Sequence, residues 1–161
     1  MTKLIVTEKN GEQFAGDLLV YGVGQVEKKT LKCDNATIQS WLEHVGSLGE
    51  FSAQAGECLL LYPSGADKKE GDILAVFSAK RLLLVGIGDL EGQGNDELRE
   101  RCRLTGGIIA QQAAKVKAKK IMICLPEIMG LRAKAVAECI GEGVLLGDYR
   151  FLKYKKSDPQ G

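Results

Sequence analysis

The chain has 161 residues, of which 45% are hydrophobic and 27% are charged, and its formal net charge at pH 7 is +1. This length predicts one domain that buries about 70% of the surface of the unfolded chain. The small net charge argues against bulk electrostatic binding to nucleic acid or membranes, and no apolar run reaches the roughly 18 residues of a membrane-spanning helix.

The cysteines and the histidine of this sequence do not indicate a metal site or a catalytic site. Five cysteines, at positions 33, 58, 102, 124 and 139, form no Cys-x-x-Cys pair, and buried free thiols are the favoured interpretation. The first residues do not resemble a signal peptide, so a cytoplasmic location is expected. The single histidine, His44, cannot supply an ordinary zinc site, and a Ser-His-Asp role for it is disfavoured.

The first third of the chain predicts two strands and a helix. Strands are expected at Leu4–Val6 and Asp17–Val23, and the second is so apolar that it belongs in the centre of a sheet. Asp34 or Asn35 is a good N-cap for a helix that ends near Gly46–Gly49. Within that helix the 3.6-residue spacing of apolar side chains makes Trp41 a core residue.

Two further short strands are predicted before the middle of the chain. The first is Glu57–Tyr62 and the second is Ile73–Phe77, which leads through a short turn into Lys80–Asp89. That short turn suggests that Ile73–Phe77 is an antiparallel neighbour, which would make the sheet mixed.

The stretch Lys80–Asp89, KRLLLVGIGD, is the centre of the predicted fold. Its apolar residues do not alternate with polar ones, which is typical of a parallel strand covered by helices on both faces. A helical pattern opens near Asn95, so the order is strand, glycine turn, helix. The sequence therefore predicts an α/β fold with a mixed, mostly parallel sheet flanked by helices.

Two similar glycine pairs are the candidate ligand site. Gly22 and Gly24 follow one apolar strand, whereas Gly86, Gly88 and Asp89 follow the other. Turns at these positions would let backbone N–H groups approach a phosphate or carboxylate. The favoured alternative is that the glycines only permit tight turns, because neither pair completes G-x-G-x-x-G or a P-loop.

From Asn95 or Asp96 onward the sequence predicts a helix, then an apolar strand at Ile121–Leu125 and a final helix from about Leu131 to Gly147. In the first helix Gly106-Gly107 is best explained by close packing against a strand or a neighbouring helix. In the final helix small residues recur every four positions, and we expect this stripe to lie against the sheet. The stripe consists of Ala135, Cys139, Gly143 and Gly147.

Aromatic and basic residues alternate after the predicted end of the final helix. Tyr149, Phe151 and Tyr154 lie among Arg150 and several lysines. One interpretation is a strip that binds nucleic acid, carried by Lys153, Lys155 and Lys156. The favoured interpretation is a linker segment whose aromatic side chains dock on another domain.

Several of these segments together resemble a known family. Ala135–Glu138, Gly143–Phe151 and Lys153–Lys155 are similar to the "AVAEG…LLG-YRF-KYK" run that closes the N-terminal domain of leucyl (cytosol) aminopeptidases. Ala79–Gly88 is similar to the "AKRVLLVGLG" strand of that domain, and Gly16–Val20 and Ala55–Glu57 fit the same order. The resemblance covers nearly the whole chain.

The resemblance implies a macro-domain-like fold and a parent enzyme that releases N-terminal amino acids with two divalent metal ions, zinc or manganese. In that family the metal and catalytic residues lie in a larger C-terminal domain, so no catalytic or metal-binding residue and no cofactor is assigned to this chain. Residues 1–148 would form the N-terminal domain, and residues 149–161 would begin a linker. Tyr149, Arg150, Phe151 and Tyr154 are the expected contacts with the catalytic domain.

The family also implies a homo-hexamer. From the small net charge and the lack of a long apolar run we expect no membrane partner, and nucleic acid is disfavoured as a partner. The alternative hypothesis is a stand-alone macro-like domain that binds a ligand. Gly22, Gly24 and Gly86–Asp89 would then line a pocket for ADP-ribose or a related phosphorylated nucleotide. A stand-alone enzyme is disfavoured, because no acids, thiols or histidine converge at a recognisable spacing.

Overall fold

The computed structural model describes residues 3–7, 11–27, 30–46, 49, 51–63 and 73–157, with side chains undescribed at 45, 46 and 148–157. The strands are β1 (Lys3–Thr7), β2 (Leu18–Val26), β3 (Thr30–Lys32), β4 (Cys58–Leu61), β5 (Leu82–Asp89) and β6 (Lys120–Cys124). The helices are α1 (Ala36–Gly46), α2 (Asn95–Lys115) and α3 (Ala133–Ser157), with a short 3-10 helix at Ile73–Val76.

The sheet is mixed and mostly parallel, as predicted. Its strand order is β1-β6-β2-β5-β4, and β3 pairs with the far end of β2. The pairs β1–β6, β6–β2 and β2–β5 are parallel, whereas β4 and β3 run antiparallel to their neighbours. The two most apolar strands, β2 and β5, lie side by side in the centre, which confirms that prediction. The likeness to a macro domain stays a prediction.

Successive side chains of the central strands feed two separate cores. Leu18 and Val20 of β2 face a core formed with α2 and α3, whereas Leu19 and Tyr21 face a core formed with α1. Both faces of the sheet are therefore covered, and this explains why β2 and β5 are apolar without alternation. The architecture is a three-layer α/β arrangement.

Asp17 connects the amino ends of two neighbouring strands, β2 and β6. Its Oδ2 accepts hydrogen bonds from the backbone N–H groups of Lys119 (2.8 Å) and Lys120 (2.9 Å), and Lys80 lies 3.3 Å from Oδ1. These backbone hydrogen bonds are the main reason that the pKa of Asp17 falls to about 2, so the carboxylate is ionised at neutral pH. Asp17 thereby connects the starts of β2 and β6, which are more than a hundred residues apart in sequence.

The predicted start of α1 is confirmed in detail. Asn35 Oδ1 accepts a hydrogen bond from the backbone N–H of Ile38 (3.0 Å), which is the geometry of an N-cap. Ile38 and Leu42 are buried against the sheet, and Trp41 is half-buried against the same core. Trp41 therefore packs on the core, but it is half-buried and not a fully buried core residue.

The prediction of a strand at Ile73–Phe77 is wrong. Ile73–Val76 forms a 3-10 helix, and the Phe77 side chain that follows is fully buried against Tyr21. A short apolar run does not distinguish a strand from a turn that inserts one large side chain into the core. The antiparallel neighbour of β5 is instead β4, paired from Cys58 opposite Val85 to Leu61 opposite Leu82.

The small-residue stripe of α3 packs closely, but against α2 and not against the sheet as predicted. A Cβ on Gly143 would lie 2.0 Å from the carbonyl oxygen of Arg103, and a Cβ on Gly106 would lie 2.1 Å from that of Ile140. Gly147 lies beside Gly107 in the same way. The two helices run in the same direction with their backbones almost in contact, which confirms the prediction for Gly106-Gly107.

The predicted end of the final helix is also wrong. The α3 backbone does not stop near Gly147 but continues to Ser157. Gly147 lacks a side chain because Ala110 and Gly107 occupy that space, and not because the helix ends there. The domain boundary at residues 148 and 149 stays a prediction, but the segment after it begins as helix.

Candidate functional site

The second glycine pair lies inside a strand, and the prediction of a turn there is wrong. Gly86 and Gly88 belong to β5, where the loop Ser52–Glu57 lies along the strand. The N–H of Gly86 donates to the carbonyl oxygen of Glu57 (2.7 Å), and the N–H of Gly88 donates to that of Ala53 (2.9 Å). A Cβ on Gly86 would lie 2.2 Å from the carbonyl oxygen of Gln54, so only glycine allows this approach.

The loop that covers Gly86 is held in shape by one carboxylate. Glu57 accepts hydrogen bonds from the N–H and the hydroxyl of Ser52 and from the N–H of Gln54, at 2.8–3.3 Å. Burial alone would raise the pKa of Glu57, but these hydrogen bonds together lower it. Glu57 is therefore ionised at neutral pH and fixes a loop that includes Ala53 at φ +58°.

The first glycine pair is likewise inside a strand, because β2 continues to Val26. A Cβ on Gly22 would lie 2.7 Å from Ile87 Cδ1, and one on Gly24 would lie 2.3 Å from Leu90 Cδ1. Gly24 pairs with Gly88 across the β2–β5 ladder, so the structure does bring the two pairs together. The space beside these glycines is filled by the protein's own side chains.

Asp89, the polar member of the predicted site, also has local partners. Its Oδ1 accepts a hydrogen bond from the N–H of Glu91 (2.9 Å), and its carbonyl oxygen accepts one from Arg101. With the N–H groups of Gly86 and Gly88 also engaged, these positions give no support to a nucleotide site. Ligand binding there stays a prediction that no observation favours.

The cysteine thiols are buried or half-buried, which disfavours their use as nucleophiles. All five cysteines are free; Cys58 is half-buried, and the other four are buried. Burial raises the pKa of Cys33 to about 12 and that of Cys102 to about 11, and it also raises the pKa of Cys58 and Cys124. These four thiols are protonated at neutral pH, and the prediction of buried free thiols is confirmed for all but the half-buried Cys58.

The resemblance implies that the parent enzyme holds two divalent metal ions. Within the described ranges, no three His, Cys, Asp or Glu side chains are grouped so that they could hold a metal ion. The described donors therefore do not fit such a centre.

No helix in the described part of the chain combines the length and the apolar character that crossing a membrane requires.

The predicted interdomain residues lie in the last three turns of α3. Tyr149, Arg150, Phe151 and Tyr154 belong to the helix backbone, but their side chains lie outside the described residues. The same holds for the lysines of the nucleic-acid interpretation, Lys153, Lys155 and Lys156. Both interpretations stay predictions.

Exposed leucines that the sequence analysis did not single out lie on the two packed helices. Leu145 and Leu146 are 71% and 55% exposed on α3, and Leu104 is 50% exposed on α2. The signal in the sequence was the pair Leu145-Leu146, because two adjacent leucines extend the apolar surface of a helix beyond a single buried stripe.

Together, these features define a three-layer α/β domain in which α2 and α3 cover one face of the sheet and α1 covers the other. Comparison with known proteins identifies its family. Residues 18–158 match the N-terminal domain of the cytosol aminopeptidase family, and the chain belongs to that family.

Curated relatives cover nearly the whole chain. The chain is 39% identical over 158 residues to a probable cytosol aminopeptidase of Desulfotalea psychrophila. The aligned segment covers 96% of this chain and 30% of the relative. A probable cytosol aminopeptidase of Desulforapulum autotrophicum is 38% identical over 92% of the chain and 28% of its own length. A probable cytosol aminopeptidase of Roseiflexus castenholzii is 31% identical, and the aligned segment covers 95% of this chain and 27% of the relative. The chain thus spans less than a third of these relatives.

Proposed function

We propose that this chain is the non-catalytic N-terminal domain of a metal-dependent leucyl aminopeptidase, a longer protein that releases N-terminal amino acids from peptides. One observation carries the proposal: residues 18–158 match the N-terminal domain of the family, and the named relatives are more than three times as long as the matched segment. The catalytic domain would follow α3 in the full-length protein.

In this proposal the domain packs on the catalytic domain and contributes to a homo-hexamer in the cytoplasm. Tyr149, Arg150, Phe151 and Tyr154 would contact the catalytic domain. The support is positional: α3 extends as a continuous helix through these residues to Ser157, so it would connect this domain directly to the next one.

The two divalent metal ions, zinc or manganese, belong to the C-terminal domain in this proposal. The family resemblance assigns the ligands to that domain, and the described donors of this chain do not fit a metal centre. In this proposal the chain serves packing and assembly.

The aminopeptidase proposal is tested on the endogenous protein purified from its source cells. We expect release of leucine from a leucyl peptide, abolished by a chelator and restored by added zinc or manganese. The matched control is the 161-residue chain, which should release no leucine under any of these conditions. Activity that is unaffected by the chelator, or leucine release by the 161-residue chain itself, would contradict the proposal.

A further inference from the structure

The amino edge of the sheet is strongly basic. This edge is the side at which the parallel strands β1, β6, β2 and β5 begin and the antiparallel strand β4 ends. Six cationic side chains lie at a strand start or within three residues before one: Lys3, Lys80, Arg81, Lys117, Lys119 and Lys120. The lysines are exposed, and the arginine is half-buried. The small net charge of +1 therefore conceals an uneven distribution of charge.

Backbone contacts place these residues in one row along the edge. Lys3 is opposite Lys120 in the β1–β6 ladder, and the N–H of Lys3 donates to the carbonyl oxygen of Lys119 (2.6 Å). The N–H of Asp17 donates to the carbonyl oxygen of Lys120 (2.9 Å), and Asp17 Oδ1 lies 3.3 Å from Lys80 Nζ. Because adjacent strands are about 4.8 Å apart, the row from β1 to β4 is about 19 Å long.

Little negative charge compensates the row. Of the described residues within two positions of these strand ends, only Asp17 is acidic. Its carboxylate accepts hydrogen bonds from two backbone N–H groups and pairs with Lys80. No ion pair in the described part of the chain engages the other five cations. An edge of this composition attracts a polyanion.

An exposed aromatic side chain lies at one end of the row. Tyr62 directly follows β4, whose last residue, Leu61, is opposite Leu82 of β5. Tyr62 is therefore next to the strand end that carries Arg81, and it is 66% exposed. Cations that follow the phosphate backbone and aromatic faces on which bases stack are the two features that proteins use to bind single-stranded nucleic acid.

The composition of the row favours nucleic acid over an acidic protein surface. Five of the six cations are lysines. Lysine is depleted at protein–protein interfaces, whereas it is a common partner of phosphate groups. A row of about 19 Å corresponds to about five nucleotides at about 3.4 Å per nucleotide, which lies within the range of about 4–16 nucleotides that single-strand binding sites cover.

We propose that the amino edge of the sheet binds single-stranded nucleic acid without sequence preference. The six cations contact phosphates along the strand, and Tyr62 stacks on a base at the β4 end of the row. The surface includes none of the lysines at positions 153, 155 and 156. It goes beyond the aminopeptidase proposal and does not depend on it.

The test measures the binding of a fluorescein-labelled oligothymidylate of about 20 nucleotides, which is longer than the site, to the 161-residue chain. Fluorescence anisotropy gives the affinity at several salt concentrations. The triple variant Lys3→Gln, Lys119→Gln and Lys120→Gln should bind about tenfold more weakly at low salt. The slope of log K against log[salt] should become smaller by about 2, because three phosphate contacts are lost.

The matched control removes the same charge near the opposite edge of the sheet. Arg99→Gln, Arg132→Gln and Lys134→Gln change exposed side chains beside the starts of α2 and α3, which follow the carboxyl ends of β5 and β6. This control should bind within about twofold of the wild type, with nearly the same salt slope. Tyr62→Ala should bind about tenfold more weakly with an unchanged salt slope, since it removes stacking and no charge.

Four results would overturn the proposal. The wild type does not bind the oligothymidylate at low salt, the triple variant binds as the wild type does, the control variant loses as much affinity as the triple variant, or a duplex binds more tightly than the single strand. Equally tight binding of polyglutamate, or of vesicles of anionic lipid, would identify a different acidic partner and would also overturn it.

The substitutions are in exposed side chains, so each variant should keep the thermal midpoint of the wild type. If the triple variant is unfolded, the double variant Lys80→Gln with Lys117→Gln tests the same row at two other positions. It should bind more weakly than the wild type, with a salt slope that is smaller by about 1.4. Wild-type binding by this double variant would contradict the proposal.

Discussion

Gly143→Ala is expected to lower the free energy of unfolding by about 3 kcal/mol, although alanine is the better helix former by about 1 kcal/mol. The added Cβ would lie 2.0 Å from the carbonyl oxygen of Arg103. That atom belongs to the backbone of α2, so it cannot rotate away as a flexible side chain would. The helices would have to separate, and the contacts between Gly106 and Ile140 and between Gly107 and Gly147 would loosen with them.

Gly141→Ala is the matched control, two residues earlier in the same helix. Nothing lies within 4 Å of a Cβ at Gly141, so this variant should be more stable than the wild type by about 0.5–1 kcal/mol. Urea unfolding followed by the fluorescence of Trp41, the single tryptophan, measures both variants. Equal stability of the two variants would show that α2 and α3 do not pack as closely as described.

The second large effect is expected for Gly86→Ala, in the central strand β5. Its Cβ would lie 2.2 Å from the carbonyl oxygen of Gln54, in the loop that Glu57 holds. Because residues of that loop are hydrogen-bonded to the N–H and the carbonyl oxygen of Gly86 itself, the loop cannot move without breaking these hydrogen bonds. We expect a loss of about 3 kcal/mol in the free energy of unfolding.

Gly94→Ala is the control for Gly86→Ala, since nothing lies within 4 Å of its Cβ and its φ of −71° suits alanine. Its stability should stay within about 0.5 kcal/mol of the wild type. Amide hydrogen exchange supplies the local readout: Gly86→Ala should accelerate exchange at Gly56, whose N–H donates to the carbonyl oxygen of Gly86. Wild-type exchange at Gly56 together with wild-type stability would contradict this account of the loop.

The sequence was most informative where one physical cause dominates. Uninterrupted apolar runs predicted β2 and β5 as neighbouring central strands, because only a strand covered on both faces can bury every side chain. Asn35 predicted the start of α1, since an amide oxygen at that position satisfies a free N–H group. Both predictions depend on local chemistry, and both are confirmed.

The sequence was least informative about which surfaces meet. The stripe that ends at Gly147 showed that α3 packs closely on something, but periodicity identifies a face and not its partner, and the partner is α2. The pairs at Gly22 and Gly86 resembled turns, because a glycine required by close packing and a glycine required by a turn look alike in sequence. The apolar run Ile73–Phe77 is typical of a strand, but the burial of Phe77 depends on residues that are distant in the chain, and no local pattern shows them.

The most direct test of the central claim is the intact mass of the endogenous protein in its source cells. If this chain is the N-terminal domain of a longer aminopeptidase, the mass should be well above 17.4 kDa and about three times that value, because the matched segment is 30% of the Desulfotalea psychrophila relative. A measured mass of 17.4 kDa, with no larger species that contains this sequence, would contradict the claim.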